Sequence, residues 1–318
     1  MSTILVSAII VTKGRKDYIL PLLGSLKRQT GHDLEIIIID NSLNPDFSKE
    51  IILRHPHIKL YSSPSNLLSY CQALNTGINM SAGDFILCLN DDVLLSNDFI
   101  EKAMRGFKVN KRIGMVSGKI LRFDKKTIDS SGLFLTIWRT ARERGYGQLD
   151  HGQFEKEGFI FGVNGAVAFY RREMLEEIKI GGEYFDSDFR FFYEDLDIAW
   201  RAQNSGWRGY FIPEAEVCHL RGGTARNGKG INKKYARRYL NDELQFDLIK
   251  NRYLAIIKND SLLNLLFFLP CIVFYDIFVW GYIVFFRPTF IKEIFFKSIP
   301  LNSALKKRRI LLEKAKNS

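Results

Sequence analysis

Apolar and polar residues follow two alternating spacings along the first part of the chain. Near-continuous apolar runs, typical of strands that are buried on both faces, occur at Ile4–Thr12, Leu34–Asp40, Ile58–Ser62 and Asp84–Asn90. Between them, apolar residues recur at helical spacing in Tyr18–Arg28, Asp46–Arg54 and Tyr70–Met80. This order predicts an α/β fold in which a mostly parallel sheet is flanked by helices.

The middle of the chain is less regular. We expect a helix over Asn97–Val109, longer strands over Ile113–Phe123 and Phe159–Tyr170, a helix over Asp195–Ser205, and a strand over Gly209–Ile212 that is followed by the segment Ala215–Leu220. The loop-rich region Lys125–Glu157 is a candidate lid on the acceptor side of a site. Ligands of parallel sheets bind at the carboxyl ends of the strands. Here those ends carry Thr12, Asp40 and the Asn90-Asp91-Asp92 triplet.

A long apolar segment, Leu262–Phe286, dominates the last third of the chain. At about 1.5 Å per residue, its 25 residues could cross a bilayer core of roughly 30 Å. Pro270, Asp276 and the basic residues on both flanks argue against a simple span. We favour a re-entrant or interfacial helical pair that returns to the cytoplasmic side, followed by interfacial helices at Phe290–Phe296 and Leu305–Lys316. A helix buried at a homodimer interface is the alternative.

The net charge of +11 comes from the region around this apolar segment. Residues 1–220 carry 27 basic and 28 acidic side chains, so the excess of Lys and Arg lies in the last third. Such an asymmetry fits an anionic membrane surface. Nucleic-acid binding is disfavoured because the cations flank an apolar run instead of alternating with stacking aromatic residues.

The cysteines and the N-terminus indicate a cytoplasmic location. The 4 cysteines show neither a CxxC pair nor a zinc-site spacing, which indicates free thiols in a reducing compartment. No basic region precedes the first apolar run, so we predict no signal peptide.

Adjacent carboxylates at the end of a strand form the first candidate site. Asp91 and Asp92 would repel each other unless a cation neutralises them, and their hard oxygen ligands suit Mg²⁺ or Mn²⁺ bridging a diphosphate. A turn that caps the next helix explains the triplet equally well. Asp40-Asn41-Ser42 likewise fits either nucleoside recognition or a turn.

A second candidate site lies in Phe191-Phe192-Tyr193-Glu194-Asp195-Leu196-Asp197. The aromatic residues can exclude water and raise the pKa of a neighbouring carboxylate until it serves as a general base. Capping of the helix by Asp195 or Asp197 is the alternative. His219 is a third candidate. A lone histidine is more often structural, but the glycines and the cations Arg221 and Arg226 that follow it could bind a diphosphate.

The ordered series of these motifs resembles the family 2 glycosyltransferases of GT-A fold, and within them the rhamnosyltransferase-like branch. The series includes Asn75-Thr76-Gly77, Gly162-Val163-Asn164-Gly165-Ala166, Phe185-Asp186, Trp200-Arg201 and Pro213-Glu214-Ala215 besides the three candidate sites. The resemblance covers residues 4 to 225, and its most specific part is Phe185 to His219.

The resemblance implies a role for each matching residue. Around the nucleoside, ribose and diphosphate it places Thr12, Asp40, Asn66, Asn90 and Asp91. Asp92 matches the last, metal-binding acid of the DxD motif, and His219 matches the histidine that completes a Mg²⁺ or Mn²⁺ site. Asp195 matches the catalytic base, with Glu194 beside it, and Asn164 and Trp200 lie in acceptor-side motifs. Two departures are Asn90 in place of the first Asp and Leu68 in place of a common Gly.

These observations predict a transferase domain over residues 1–225 and a membrane-associated region over 226–318. The function we expect is inverting, metal-dependent transfer of a sugar from a nucleotide diphosphate donor to a polyprenyl-diphosphate-linked saccharide, with rhamnose as one candidate sugar. We place it in cell-surface polysaccharide synthesis at the cytoplasmic membrane face, with a homodimer as one candidate assembly. A sugar nucleotidyltransferase and a non-catalytic membrane scaffold are the alternatives. A nicotinamide-dependent enzyme is disfavoured because no GxGxxG follows the first strand.

Overall fold

A sheet built from the predicted apolar runs forms the centre of the molecule. The computed structural model describes residues 5–63, 67–220, 240–297 and 299–317, so Asn66, Arg221, Arg226 and the predicted domain boundary at residue 225 lie outside the described residues. The strands are β1 (Leu5–Thr12), β2 (Asp33–Asp40), β3 (Lys59–Ser62), β4 (Phe85–Asn90), β5 (Val93–Leu95), β6 (Ile113–Arg122), β7 (Ile128–Ser130), β8 (Leu133–Leu135), β9 (Ala141–Glu143), β10 (Gly158–Ile160), β11 (Val167–Arg171) and β12 (Arg208–His219). The helices are α1 (Lys16–Lys27), α2 (Pro45–Arg54), α3 (Tyr70–Met80), α4 (Phe99–Val109), α5 (Arg172–Ile178), α6 (Glu194–Asn204), α7 (Asp242–Asn259), α8 (Leu262–Phe286), α9 (Pro288–Phe296) and α10 (Leu301–Asn317).

The longer strands of the sheet run in one direction. Within the described residues the sheet has ten strands, in the order β10-β12-β6-β11-β4-β1-β2-β3, with β5 beside β12 and β7 beside β6. Strands β1 to β4 pair in parallel, as do β6 and β12, whereas β11 runs antiparallel between β4 and β6. The carboxyl ends of β1, β2, β4, β6 and β12 therefore lie at one edge, together with the start of β11. The predicted α/β class with a largely parallel, helix-flanked sheet is confirmed.

Apolar side chains fill both faces of the sheet. Successive strand residues point to opposite faces, so Ile10 packs with α1, α2 and α4, whereas Ile9 packs with α3, α5 and α6. The second face also includes Leu254 of α7 and Ala304 of α10. The C-terminal helices therefore share a hydrophobic core with α6.

Two strand predictions are wrong in detail. The run Phe159–Tyr170 is divided into β10 and β11 by a turn, in which Asn164 Oδ1 accepts a hydrogen bond of 2.8 Å from the N–H of Ala166. The strand predicted over Gly209–Ile212 is longer, because β12 continues through the segment that follows it as far as His219. Its register against β6 shifts between Ile212 and Glu216, which accommodates Pro213.

The apolar segment forms one continuous helix. α8 takes in all of Leu262–Phe286, so the prediction of a helical pair within this segment is wrong. Pro270 lies inside this helix, and its side chain is exposed. Among the described residues, α8 is the one helix that is long and apolar enough to cross a membrane, by length and composition alone.

α8 lies beside α7 in the opposite direction. The two helices are joined by contacts of Asp242 with Arg287 (2.9 Å), Arg252 with Asp276 (2.6 Å) and Tyr253 with Trp280 (3.0 Å). The first pair joins the start of α7 to the residue after the end of α8, whereas the other two join the second half of α7 to earlier residues of α8, which makes the helices antiparallel. Asp276 therefore faces the protein, where the largely buried Arg252 neutralises its charge.

Candidate active site

Side chains at the ends of β1 and β4 bind to each other. Thr12 Oγ1 donates to Asp91 Oδ2 at 2.7 Å and accepts from the N–H of Gly14 at 3.0 Å. Tyr70, at the start of α3, donates to Asn90 Oδ1 at 2.8 Å. Burial and the charge of Asp92 raise the pKa of Asp91. This edge presents hydroxyl, amide and carboxyl groups where a ligand of a parallel sheet would bind.

Asp40 is the last residue of β2 and pairs with Thr12 of β1. Its carboxylate accepts hydrogen bonds from nearby serines. Oδ1 accepts from the N–H of Ser42 at 2.9 Å, and Oδ2 accepts from the hydroxyls of Ser48 and Ser62. Asp40 thus lies at the predicted edge and also stabilises a turn. Its part in nucleoside recognition stays a prediction.

A buried histidine lies between two carboxylates at the end of β12. His219 pairs with Val93 across the sheet, which brings its Nε2 to 3.3 Å from Asp92 Oδ1. Its Nδ1 lies 2.8 Å from Oδ2 of Asp129, whose side chain is fully buried in β7. Burial opposes charging of the imidazole, but the two carboxylates outweigh it and raise the pKa of His219. Sequence reasoning missed Asp129, because no motif marks it and only the pairing of β7 with β6 brings it to this site.

Asp92 and His219 fit a divalent cation. His219 Nε2 is buried, makes no regular hydrogen bond and faces a carboxylate. A carboxylate and an imidazole suit Mn²⁺, and Mg²⁺ usually keeps water and substrate phosphates as further ligands. Across the described ranges, no three His, Cys, Asp or Glu side chains are arranged to hold one ion. A diphosphate and water would therefore supply the remaining ligands.

Glu194 and Asp195 form the first turn of α6. Asp195 Oδ2 accepts from the N–H of Gly165 at 3.1 Å, and Oδ1 accepts from the N–H of Leu196 at 2.7 Å. Burial raises the pKa of Asp195 despite these bonds. Burial and the charge of Asp195 raise the pKa of Glu194 to about 8. A carboxylate with a raised pKa is a stronger base near neutral pH.

Neither Asp195 nor Asp197 is the capping residue of α6, as the alternative interpretation of this motif requires. The capping position is Tyr193, whose side chain makes no capping hydrogen bond. Asp197 is fully buried and binds Arg201 at 3.0 Å and Lys258 at 2.7 Å. Asp197 is thus structural, whereas Asp195 is available for chemistry.

Glu143, at the end of β9, is a second residue that sequence reasoning missed. Its carboxyl group accepts from Asn164 Nδ2 at 2.8 Å and from the Ser130 hydroxyl. Burial and the charge of Asp195 raise the pKa of Glu143 to about 7. The loop-rich region predicted as a lid contains β7, β8 and β9, and it thereby delivers both Asp129 and Glu143 to the site.

Tyr70 connects the two parts of the site. Its hydroxyl oxygen lies 2.8 Å from Asn90 Oδ1 and 3.2 Å from the carbonyl oxygen of Gly165. Gly165 in turn donates to Asp195. A short chain of contacts therefore joins the carboxyl end of β4 to the candidate base.

Trp200 lies farther along α6 than the acids. It is nearly buried, 6.5 Å from the ring of Phe161 and 5.7 Å from the guanidinium of Arg139, measured to ring centroids. The structure thus brings Thr12 to Asp91 and His219 to Asp92, and it links Asn90 to Asp195 through Tyr70 and Gly165. Trp200, in contrast, is packed in the interior. The acceptor-side roles of Asn164 and Trp200 stay predictions.

Comparison with known proteins gives a consistent result. The model of the family described as "Glycosyl transferase family 2" matches residues 7–179. The chain is 23% identical over 228 residues, 62% of its own length and 70% of the relative's, to the N-acetylglucosaminyl-diphospho-decaprenol L-rhamnosyltransferase of Mycobacterium tuberculosis. It is 23% identical to the poly-beta-1,6-N-acetyl-D-glucosamine synthase of Staphylococcus aureus, over 58% of this chain and 42% of that protein.

Solved structures share the fold. GalNAc-T7, crystallised with UDP, GalNAc and Mn²⁺, aligns with a TM-score of 0.60 and 12% identity, over 81% of this chain and 48% of that chain. S. aureus TarS 1–349 aligns with a TM-score of 0.56 and 15% identity, over 81% of this chain and 67% of that chain. The present chain thus spans about half of GalNAc-T7. The predicted GT-A fold is confirmed by these likenesses.

Proposed function

The chain belongs to glycosyl transferase family 2 and is a glycosyltransferase, and we propose that it moves a sugar from a nucleotide diphosphate donor to a hydroxyl of a lipid-linked saccharide. The observation that carries this proposal is the environment of Asp195. Its carboxylate has a raised pKa, accepts a hydrogen bond from Gly165 and is joined through Tyr70 to the donor edge of the sheet.

The proposed reaction is a single displacement that inverts the anomeric carbon. Asp195 accepts the proton of the acceptor hydroxyl while the hydroxyl oxygen forms a bond to that carbon. The bond from the carbon to the diphosphate breaks, and its electron pair leaves with the nucleoside diphosphate. A divalent cation at Asp92 and His219 would supply Lewis-acid stabilisation of the diphosphate.

The donor contacts we propose come from the same edge of the sheet. They involve Thr12, Asp40, Asn90 and Asp91, and beyond the described residues Asn66, Arg221 and Arg226. Asn164 and Trp200 are proposed for the acceptor side.

The names of the relatives support a lipid-linked acceptor. One relative is named for L-rhamnose and a decaprenol-linked N-acetylglucosaminyl diphosphate, the other for synthesis of a polysaccharide. We therefore take rhamnose as one candidate sugar and a polyprenyl-diphosphate-linked saccharide as the acceptor class. Synthesis of cell-surface polysaccharide is the matching process.

The position of α8 supports a monotopic arrangement at the cytoplasmic membrane face. Phe268 contacts Arg139, Phe274 stacks on Trp138 and Asp276 pairs with Arg252, so these three residues contact the rest of the protein. Most of the remaining helix surface exposes large apolar side chains, among them Leu263, Leu266, Phe267, Val273 and Ile277. An exposed apolar surface of this size marks an interaction site, and we propose that it lies against the acyl chains of the membrane.

The first test is Asp195→Asn, a neutral substitution of the same shape. We expect transfer to fall by at least about a thousandfold, within the range attributed to a general base, while donor affinity changes little. Transfer is measured as nucleoside diphosphate release with lipid-linked acceptor, and donor affinity by calorimetry. The exposed Asp33→Asn is the control. Activity of Asp195→Asn near that of the control would remove Asp195 from the role.

The donor itself is identified by a thermal-shift screen of nucleotide sugars with Mg²⁺ or Mn²⁺. Product analysis separates the alternatives. A nucleotidyltransferase would release pyrophosphate from a nucleoside triphosphate and a sugar phosphate, and a scaffold would turn over neither substrate set.

A further inference from the structure

Two consecutive bulky residues adopt a left-handed backbone directly before the candidate base. Phe192 has φ 71° and Tyr193 has φ 70°, and neither is glycine. This region of φ is costly for residues with a large side chain, and it persists only where neighbours enforce it. Glu194 and Asp195 follow at once, so the turn sets the direction in which α6 begins.

A single buried side chain of α7 binds this turn. Asn251 is 0% exposed, and its Nδ2 donates to the carbonyl oxygens of Phe191 at 2.7 Å and of Phe192 at 2.9 Å. Two bonds to consecutive carbonyls fix the orientation of two peptide planes. They therefore stabilise the left-handed backbone against the extended one that these residues would otherwise prefer.

Two further polar contacts from α7 reach the earlier part of the same loop. Lys250 Nζ donates to the carbonyl oxygen of Asp188 at 3.0 Å, and Arg190 pairs with Asp247 at 2.8 Å. Asn251 is the α7 residue whose hydrogen bonds reach Phe192 itself.

The turn leads directly into the hydrogen bonds that hold Asp195. The N–H of Asp197 donates to the carbonyl oxygen of Tyr193 at 2.8 Å, which begins the helix. Asp195 then projects toward Gly165, whose N–H it accepts. A rotation of the peptide that joins Phe192 to Tyr193 would reorient the first turn of α6. It would thereby move the Asp195 carboxylate away from Gly165.

We propose that Asn251 is a positioning residue for the base: by binding the carbonyls of Phe191 and Phe192 it enforces the turn that directs Asp195 toward the acceptor. The proposal rests on the proposed role of Asp195. It assigns to α7, the helix that leads into α8, a part in catalysis without contact to substrate.

The experiment is a double-mutant cycle on the full-length protein. We expect Asn251→Ala to lower kcat about tenfold or more, with the KM for the donor changed by less than threefold. Phe192→Gly makes the two Asn251 hydrogen bonds unnecessary for holding the left-handed backbone, because glycine adopts positive φ without steric cost. In the Phe192→Gly background, Asn251→Ala should therefore lower kcat by less than threefold.

The controls separate this effect from a general loss of packing. Asn204→Ala removes a hydrogen bond of 2.8 Å between α6 and the end of α7, far from the turn, and should leave kcat unchanged. Asn251→Leu, which also lacks both donors, replaces the alanine variant if that variant does not fold.

Two results would overturn the inference: kcat of Asn251→Ala within twofold of the unmodified protein, or an equal loss of kcat in both backgrounds of the cycle. Failure of the proposed function has a different signature. In that case Asp195→Asn keeps its activity, whatever the Asn251 variants do.

Discussion

The carboxyl groups of Glu143, Glu194 and Asp195 influence each other's ionisation. Burial raises all three pKa values, and the charge of Asp195 raises those of Glu143 to about 7 and of Glu194 to about 8. The charge of Asp195 therefore disfavours ionisation of both glutamates as the pH rises. Near neutral pH Glu194, with a pKa of about 8, is still protonated, which fits a division of labour between neighbouring acids.

The raised pKa of Glu194 makes the effect of Glu194→Gln on stability depend on pH. The Glu194 carboxyl ionises near pH 4.5 in the unfolded chain and at about 8 in the folded one. Between these values the folded state binds a proton that the unfolded state lacks, so the free energy of unfolding falls as the pH rises. Gln carries no charge and avoids this loss. We expect Glu194→Gln to raise Tm more at a pH of about 8.5 than at about 5.5. An equal change at both pH values in a calorimetric scan would contradict the raised pKa of Glu194.

Asp129 is expected to affect the binding of a metal ion without touching it. Its bond to Nδ1 of His219 fixes the ring so that Nε2 faces Asp92. Loss of such a supporting carboxylate commonly weakens metal binding by about tenfold to a hundredfold. We therefore predict weaker Mn²⁺ binding by Asp129→Asn in a calorimetric titration with nucleoside diphosphate. The exposed Asp124→Asn, in the same region of the chain, is the control. Identical titrations for the two variants would remove Asp129 from this role.

At the scale of elements, the exposed apolar surface of α8 can be tested at residues away from its described contacts with the protein. Leu266 and Ile277 are 58% and 62% exposed. Inserting two such side chains into lipid is worth about 3 kcal/mol or more. We predict that the double substitution Leu266→Asp and Ile277→Asp weakens binding to anionic vesicles by roughly a hundredfold or more, while donor binding is retained.

A matched control comes from equally apolar residues elsewhere. Phe159 and Leu53 are 62% and 83% exposed, and Asp at both positions should leave vesicle sedimentation unchanged. Equal binding by the α8 variant and the control would contradict a membrane-facing role for α8. Deletion of residues 262–318 is a less specific test, because it also removes Lys307 from its contacts with Asp186 and Asp188.

The elements with strong periodicity could be predicted from the sequence, and those defined by distant partners could not. Tyr70–Met80 is a helix over the predicted residues, because its apolar spacing and its capping Ser69 are local signals. β12 is continuous across Pro213 because β6 provides a partner on both sides of it. The bounds of α8 coincide with the apolar segment Leu262–Phe286 of the sequence. The turn after β10, in contrast, could not be delimited without knowing that Ala199 packs against Gly162.

The candidate site shows the same difference between residues in local motifs and residues placed by distant contacts. Asp92, Asp195 and His219 lie in recognisable motifs, and the structure places them at one edge of the sheet. Asp129, Glu143 and Asn251 have no motif, since each contacts a residue more than twenty positions away in the chain. Such contacts follow from strand pairing and helix packing and leave no local pattern.

At the scale of the whole molecule, part of the excess positive charge is used inside the protein. Lys258 binds Asp186 and Asp197, and Lys307 binds Asp186 and Asp188. These two cations outweigh burial and hold the pKa of Asp186 well below its usual range. The basic C-terminal region therefore neutralises acids around α6, in addition to the membrane contact that we propose for it.

This arrangement has a consequence for synthesis of the chain. A ribosome releases Asp186 and Asp197 well before Lys258 and Lys307, and until then the two acids lack the cations that neutralise them in the folded protein. We therefore expect a nascent chain to complete the surroundings of α6 only after α10 has emerged. By that time α8 has already been made, so we expect the enzyme to gain its activity no earlier than the helix that we propose for membrane contact.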